Sequence, residues 1–296
     1  MLSPDDLLNL TKTEPSAQTL AELTPQLLEL LHESRAALRE RSYAVLATWL
    51  EKGYYEETLK SLGDTFAHNL DLGLGKTDGD EAFVRAYSSL LLGEAIGYDA
   101  KNRKLSDTNC RRYLEASLNY MQSERDTRDF VSREKGWIHA IAHDADLLMQ
   151  LANHPLLEIA ELTSLLDTVA HVVRRLDGKV YLNLEDERLA YAAVNALKRE
   201  LLSEEAVLAW LHDLTKPFAW GDDWREGLNE GQLEYARTYP WWSVYDAGSP
   251  YLEAYANIRN FVRSLYLQLS LASHELKLEP VEIALKQLDT GFYDLP

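Results

Sequence analysis

The chain has 296 residues, 46% of them hydrophobic, and a net charge of −18 from 48 acidic and 30 basic side chains. That length and apolar content suffice for a large core. The negative balance excludes broad electrostatic binding to nucleic acid or to an anionic membrane surface, where a basic face supplies most of the affinity.

Cys110 is the single cysteine, so there is no intramolecular disulfide framework, which fits a reducing compartment. The opening Met1-Leu2-Ser3-Pro4-Asp5-Asp6 is acidic where a secretory leader is basic, and no run approaches the ~18 apolar residues of a spanning helix. A soluble, cytoplasmic protein is expected.

In chain order, Ser3-Pro4-Asp5-Asp6 reads as a capped helix start with proline in the first turn. Leucine, alanine, glutamate and arginine then recur at spacings of three and four, and alternating β-branched runs are almost absent. The periodicity predicts helices near 17–33, 36–52, 55–72, 80–97, 106–124, 136–153, 156–176, 184–202, 204–214, 230–238, 250–274 and 279–288. Ser106-Asp107 is a capping pair for the fifth of these. Short connections make neighbours antiparallel, and so long a succession favours a stack over one closed bundle. The expected fold class is all-α: an irregular armadillo- or HEAT-like α-solenoid without a clean internal repeat, in a single domain over 1–296. A compact irregular α-domain is the alternative. Residues 215–250, with Trp220, Trp224, Trp241 and Trp242 among prolines and glycines, break the helical period and read as an ordered aromatic-rich excursion.

Leu72-Gly73-Leu74-Gly75-Lys76-Thr77 ends like a phosphate-binding loop, but its first glycine position is Leu70 and no strand precedes it; it reads as a turn between helices. Arg85 is expected to tie helices together by pairing with a carboxylate such as Glu185 or Asp186. Arg111 and Arg112 beside Cys110 are placed to lower its thiol pKa. No partner histidine is recognisable in the sequence, so Cys110 reads as an ordinary helix residue.

The richest stretch is 124–148. If Lys135 to Leu148 is one helix, His139, His143 and Asp146 fall within about 40° of one another on its surface. Two imidazoles and a carboxylate on one stripe suit a divalent zinc, manganese or iron ion, with Glu124 or Asp126 as catalytic candidates acting as general base on a bound water. The glutamate that makes a His-Glu-x-x-His helix diagnostic is missing. The competing account is a buried helix whose histidines bond to neighbouring helices. Arg128, Lys135 and Trp137 in this stretch are candidates for a ligand pocket. So are Asn260 and Arg263, which with Asn257 form a polar stripe at spacings of three. Core packing of Trp137 beside a closely approached Gly136, and interhelical hydrogen bonding by the asparagines, are the plainer readings of those positions. The cluster Trp241, Trp242, Tyr245, Tyr251 and Tyr255 is expected to be mostly core.

Several segments together resemble the DUF2785 family of bacterial proteins: Gly75-Lys76-Thr77-Asp78, Phe83-Val84-Arg85-Ala86-Tyr87-Ser88, Glu124-Arg125-Asp126-Thr127-Arg128, Lys135-Gly136-Trp137-Ile138-His139-Ala140-Ile141-Ala142-His143, Glu185-Asp186-Glu187-Arg188-Leu189 and Arg263-Ser264-Leu265-Tyr266. The resemblance spans about 70–268 and leaves the N-terminal helices of 1–70 outside it. Asp129 and Asp144 depart from the pattern, in places where a glycine and a small residue are expected. Each adds negative charge beside the histidines, whether to strengthen cation binding or at a solvated position. The resemblance implies an all-helical fold and supplies no substrate.

The leading functional expectation is a binding or scaffold protein with a polar pocket around the Gly-Trp-x-His-x-x-x-His block. Its partner would be a protein, a peptide or a small molecule, without nucleic acid or membrane. The alternative is a metal-dependent, hydrolase-like enzyme holding its ion on His139, His143 and Asp146.

Overall fold

The computed structural model describes residues 2–177, 179–215, 250–272 and 278–289. Among these the chain is mostly helical, with twelve α-helices, one 3-10 turn and one two-stranded ladder. It divides into two compact units, Met1–Glu158 and Ile159–Pro296, although the sequence shows no linker between them.

The first unit holds α1 (Pro4–Leu10), α2 (Ala17–Leu30), α3 (Ala36–Glu51), α4 (Leu59–Asn69), α5 (Glu81–Asn102), α6 (Asp107–Ser123), the strands β1 (Phe130–Ser132) and β2 (Gly136–Trp137), and α7 (Ala140–Asn153). Its helix starts follow local chemistry. Ser3 forms a reciprocal capping box with Asp6, and Ser16 and Ser106 accept from the backbone of Thr19 and Asn109. The α5 helix ends where Arg103 turns left-handed.

Residue pairs fix how these helices run. The α5 and α6 helices are antiparallel, since Arg85 meets Glu124 and Asp99 meets Cys110. Alternate helices are parallel. Arg39 lies over Phe83 and Tyr43 against Tyr87 between α3 and α5. Tyr87 meets His143, and Gly93 meets Leu147, between α5 and α7. Asp64 meets Tyr113, and Asp71 meets Asn119, along α4 and α6. With α1 packed on α3, the helices α1, α3, α5 and α7 make one layer and α4 and α6 another.

Close contact between α5 and α7 depends on Gly93. A Cβ there would lie 3.4 Å from the Leu147 Cα. Trp49, Phe66, Phe83 and Tyr113 are fully buried in this unit, each contributing about 1.5–3 kcal/mol by leaving water.

The second unit contains α8 (Ile159–Val173), α9 (Glu185–Leu197), α10 (Glu204–Thr215), α11 (Pro250–Leu271) and α12 (Leu278–Asp289). The same alternation appears. Trp210 donates to the Leu166 carbonyl and Arg174 pairs with Asp213, so α8 and α10 run parallel. Asn257 bonds the 179–181 backbone ahead of α9, and Gln268 donates to the Glu187 carbonyl farther along, so α9 and α11 do too. Tyr255 is buried and donates to the Leu288 carbonyl. The expected helix at 230–238 and the aromatics Trp220, Trp224, Trp241, Trp242 and Tyr245 lie outside the described residues. Among the described residues no helix is long and apolar enough to cross a membrane.

Two expectations change. The helix read over 136–153 begins only at Ala140, and the residues before it form a hairpin in which Phe130 pairs with Trp137 and Ser132 with Gly136. The segment read as helix over 55–72 opens with a 3-10 turn at Glu56–Thr58 and stays α-helical only from Leu59 to Asn69.

Candidate functional site

The hairpin is fastened to the helices beneath it. Arg39, fully buried, stacks its guanidinium 3.8 Å above the Phe83 ring and donates to the carbonyls of Glu33, Ser34 and Lys135. The Ala36 amide donates to the Glu134 carbonyl at 2.8 Å. Gly136 is required where it stands: its φ is +72°, and a Cβ would meet Glu40 Oε1 at 2.7 Å and the Ala36 Cβ at 2.8 Å. Lys135 reaches Asp80 with both carboxylate oxygens within 2.9 Å. Arg128 grips Asp126 and also donates to the Gly79 carbonyl. Both cations expected to greet a ligand are thus committed to partners of the chain.

Chain direction changes at His139, which caps α7 in the left-handed region (φ 56°, ψ 38°). It is therefore outside the regular helix, and the common helical stripe of His139, His143 and Asp146 is corrected: only the last two share α7. The cause is Gly136 and the hairpin, with the Ile138 amide held by the Asp129 carbonyl at 2.8 Å. Among the described residues, the groups of three donor atoms that converge within 4.8 Å do not include His139, His143 and Asp146 together.

A run of rings is assembled instead. Phe130 contacts Trp137 at 5.3 Å between centroids, Trp137 contacts His139 at 5.0 Å, His139 contacts His143 at 5.6 Å, and His143 contacts Tyr87 at 5.5 Å. Phe130 is 52% exposed and Trp137 38%, His139 is half-buried, and His143 and Tyr87 are buried. The run passes from surface to core. Burial pushes the Tyr87 hydroxyl up beyond its ordinary range, with the Glu40 charge acting in the same direction.

Under this run lies a buried polar layer. Arg85 pairs bidentately with Glu124 at 2.6 and 2.9 Å, both side chains almost wholly buried. This replaces the expected partners Glu185 and Asp186, which belong to α9. Glu124 also accepts the amides of Arg125 and Asp126, and Asp126 is held by Arg128. Neither carboxylate is left to act as a general base on water, and both catalytic candidates are structural in this arrangement. Asp144, fully buried on α7, accepts from Ser117 at 3.1 Å, while its Oδ2 and the Tyr120 hydroxyl have no hydrogen-bond partner. Burial raises the Asp144 carboxyl well above its ordinary value, and the charges of Glu124 and Asp146 add to that. A solvated position for Asp144 is corrected.

The sequence reading missed Phe130, Tyr87 and a second cluster, Asp99, Cys110 and His154. In that cluster the ligand-type atoms all lie within 4.8 Å of one another, a spacing that can hold a metal ion. The hydrogen bonds describe a buried network centred on Asp99. Asp99 Oδ1 accepts from the Leu105 amide at 2.6 Å and from that of Lys104, while Oδ2 takes His154 Nε2 at 3.0 Å and the thiol at 3.4 Å. The Leu156 amide donates to His154 Nδ1, which places the proton on Nε2, the nitrogen a metal would need bare. Burial pushes the Cys110 thiol up to about 12, with Asp99 adding to it. The expected lowering by Arg111 and Arg112 does not occur; Arg112 is taken by Asp64. Residue spacings of 11 and 44 give this cluster no local signature.

Asn257 is buried and binds the 179–181 backbone. Asn260 is half-buried and Arg263 exposed on α11 of the second unit.

Fold and site together define, over the described residues, a mostly helical protein with an aromatic and imidazole face on its first unit. The chain matches the family described as protein of unknown function (DUF2785) over residues 70–239. That is more than half its length, and the chain belongs to this family. The match covers the helices α5 to α10, the hairpin, and every residue of the ring run. No curated protein and no solved structure matches the chain.

Proposed function

We propose that this is a cytoplasmic binding protein of armadillo- or HEAT-like build, whose ligand is taken on the face made by Phe130, Trp137, His139 and His143. The parallel packing of alternate helices within each unit supports the helical-stack part of that reading. The single observation carrying the binding part is the surface-to-core run of four ring contacts, two of whose members are large aromatics left open to solvent on the hairpin.

The chemistry of the face narrows the ligand. Arg39, Arg85, Arg128 and Lys135 are committed to carbonyls or carboxylates, and the chain carries a net −18. An anionic ligand finds these four cations already paired. A neutral or cationic small molecule or peptide side chain bearing a ring or flat apolar surface fits best.

The test is a thermal-shift and tryptophan-fluorescence screen of neutral, cationic and anionic ring compounds against the whole chain and its Trp137→Ala and Phe130→Ala variants. Neutral or cationic hits weakened at least ten-fold by either variant, with helical content unchanged, are expected. Hits that bind both variants as well as the parent would overturn the assignment.

A further inference from the structure

The ring run contains two side chains that aromatic packing alone does not call for. His139 and His143 meet with centroids 5.6 Å apart and planes at 70°. Two imidazoles bound to one tetrahedral ion, each nitrogen about 2.0–2.1 Å from the metal, hold their ring centres roughly 5–6 Å apart. The pair already stands at that separation. His139 is half-buried and gives access from solvent, while His143 is only 8% exposed and anchors the inner side.

The backbone supports the pairing. His139 takes a left-handed conformation that histidine tolerates better than most residues, and the amide of Ile138, held by the Asp129 carbonyl, fixes the chain entering it. The surrounding charge is mixed: the Arg39 guanidinium lies 5.2 Å from the Tyr87 ring, and two acidic residues lie near the pair. The Glu40 carboxylate accepts from the hydroxyl of Tyr87, the ring next to His143, and Asp129, half-buried, supplies the carbonyl that positions Ile138. Asp146, one turn beyond His143, acts electrostatically on Glu94 of α5 and is not part of the set. The donors are then two imidazoles, with the Asp129 carboxylate within 4.8 Å of a His139 ring nitrogen and further positions of an ion open to an incoming ligand. Imidazole donors select the later first-row ions over magnesium or calcium.

We propose that His139 and His143 form a two-imidazole site for a late first-row divalent ion such as Cu²⁺, Ni²⁺ or Zn²⁺, and that the bound ion is the polar anchor for a neutral, lone-pair-bearing ring ligand of the aromatic face. This rests on the reading of that face as the binding surface, and it adds the class of cofactor the face takes.

The experiment uses the whole, untagged chain, titrated with Cu²⁺ or Ni²⁺ while tryptophan emission is followed. Trp137 lies 5.0 Å from His139, so a paramagnetic ion held there quenches it. Saturable, near-stoichiometric quenching is expected, largely lost in Trp137→Phe although that variant still takes up metal by elemental analysis. His139→Gln and His143→Gln should each weaken uptake at least ten-fold, with circular dichroism unchanged. Co²⁺ should give visible ligand-field bands without a thiolate charge-transfer band. Equal uptake by the double histidine variant would overturn the proposal, as would a thiolate–cobalt band, which would put the ion on Cys110. Repeating the ring-compound screen with a chelator present separates the two readings. Hits that persist and still depend on Trp137 keep the binding face and remove the metal.

Discussion

Asp144 and Asp99 are both fully buried carboxyls of the first unit, and their surroundings pull them in opposite directions. Asp144 has one acceptor oxygen used and one without a partner, and burial raises it well above 3.8. An acid raised on folding stays protonated in the folded chain while the unfolded chain ionises, so stability falls as pH climbs above about 3.8. Asp144→Asn is therefore expected to stabilise the protein near pH 8 and to change little near pH 4; denaturant melts at the two pH values check this. Asp99 is also pushed up by burial, but four hydrogen bonds, led by that of His154, outweigh the push and leave it lowered. Its contribution is present above 3.8 and is lost as pH falls through its folded value. His154→Ala removes the main partner and leaves a cavity, at a cost of about 3 kcal/mol, measurable by urea unfolding. That variant should leave the ion uptake proposed for His139 and His143 unchanged. Both histidines of that pair were legible in the sequence because a four-residue spacing places them on one helix face, and the His143 amide still bonds the His139 carbonyl at 2.9 Å. The left-handed turn at His139 was not legible, since it depends on the contact of Gly136 with α3.

At the scale of elements, the hairpin and the α5–α7 contact set the site. Gly136 combines a positive φ with so little room that an added Cβ would lie 2.7 Å from Glu40 Oε1 and 2.8 Å from the Ala36 Cβ. Gly136→Ala should cost about 1–3 kcal/mol and weaken any ligand of the Trp137 face, because the strand must lift off α3. Gly97 is the contrast. An added Cβ there meets only the end of the Gln150 side chain, at 2.8 Å, and alanine gains about 1 kcal/mol of helix propensity. Gly97→Ala is expected to be neutral or mildly stabilising in the same melts. Helix periodicity reveals α5 and α7 well, but a three-residue strand paired with a two-residue one offers no alternation to read. That is why Lys135 and Trp137 looked helical.

For the whole molecule, the sequence by itself determined the helical class. Leucine and alanine at spacings of three and four leave one apolar stripe per segment, and that stripe can be buried only against other helices. It also determined the net charge of −18. The division at Glu158 was decided by tertiary contacts. A fragment of residues 1–158 is expected to fold alone with a cooperative helical melt, which circular dichroism and near-ultraviolet spectra would check; a non-cooperative melt would show the first unit to be incomplete. Which polar residues became structural was decided in three dimensions as well. Glu124 and Asp126 look like free carboxylates in the chain. Glu124 becomes an ion-pair partner only because α5 brings Arg85 alongside, while Asp126 is taken locally by Arg128, which the Gly79 carbonyl, 49 positions back, helps to hold. Local spacing encodes what a residue can do within one helix turn. Whether it is left free to do it depends on partners dozens of positions away, and only packing selects those.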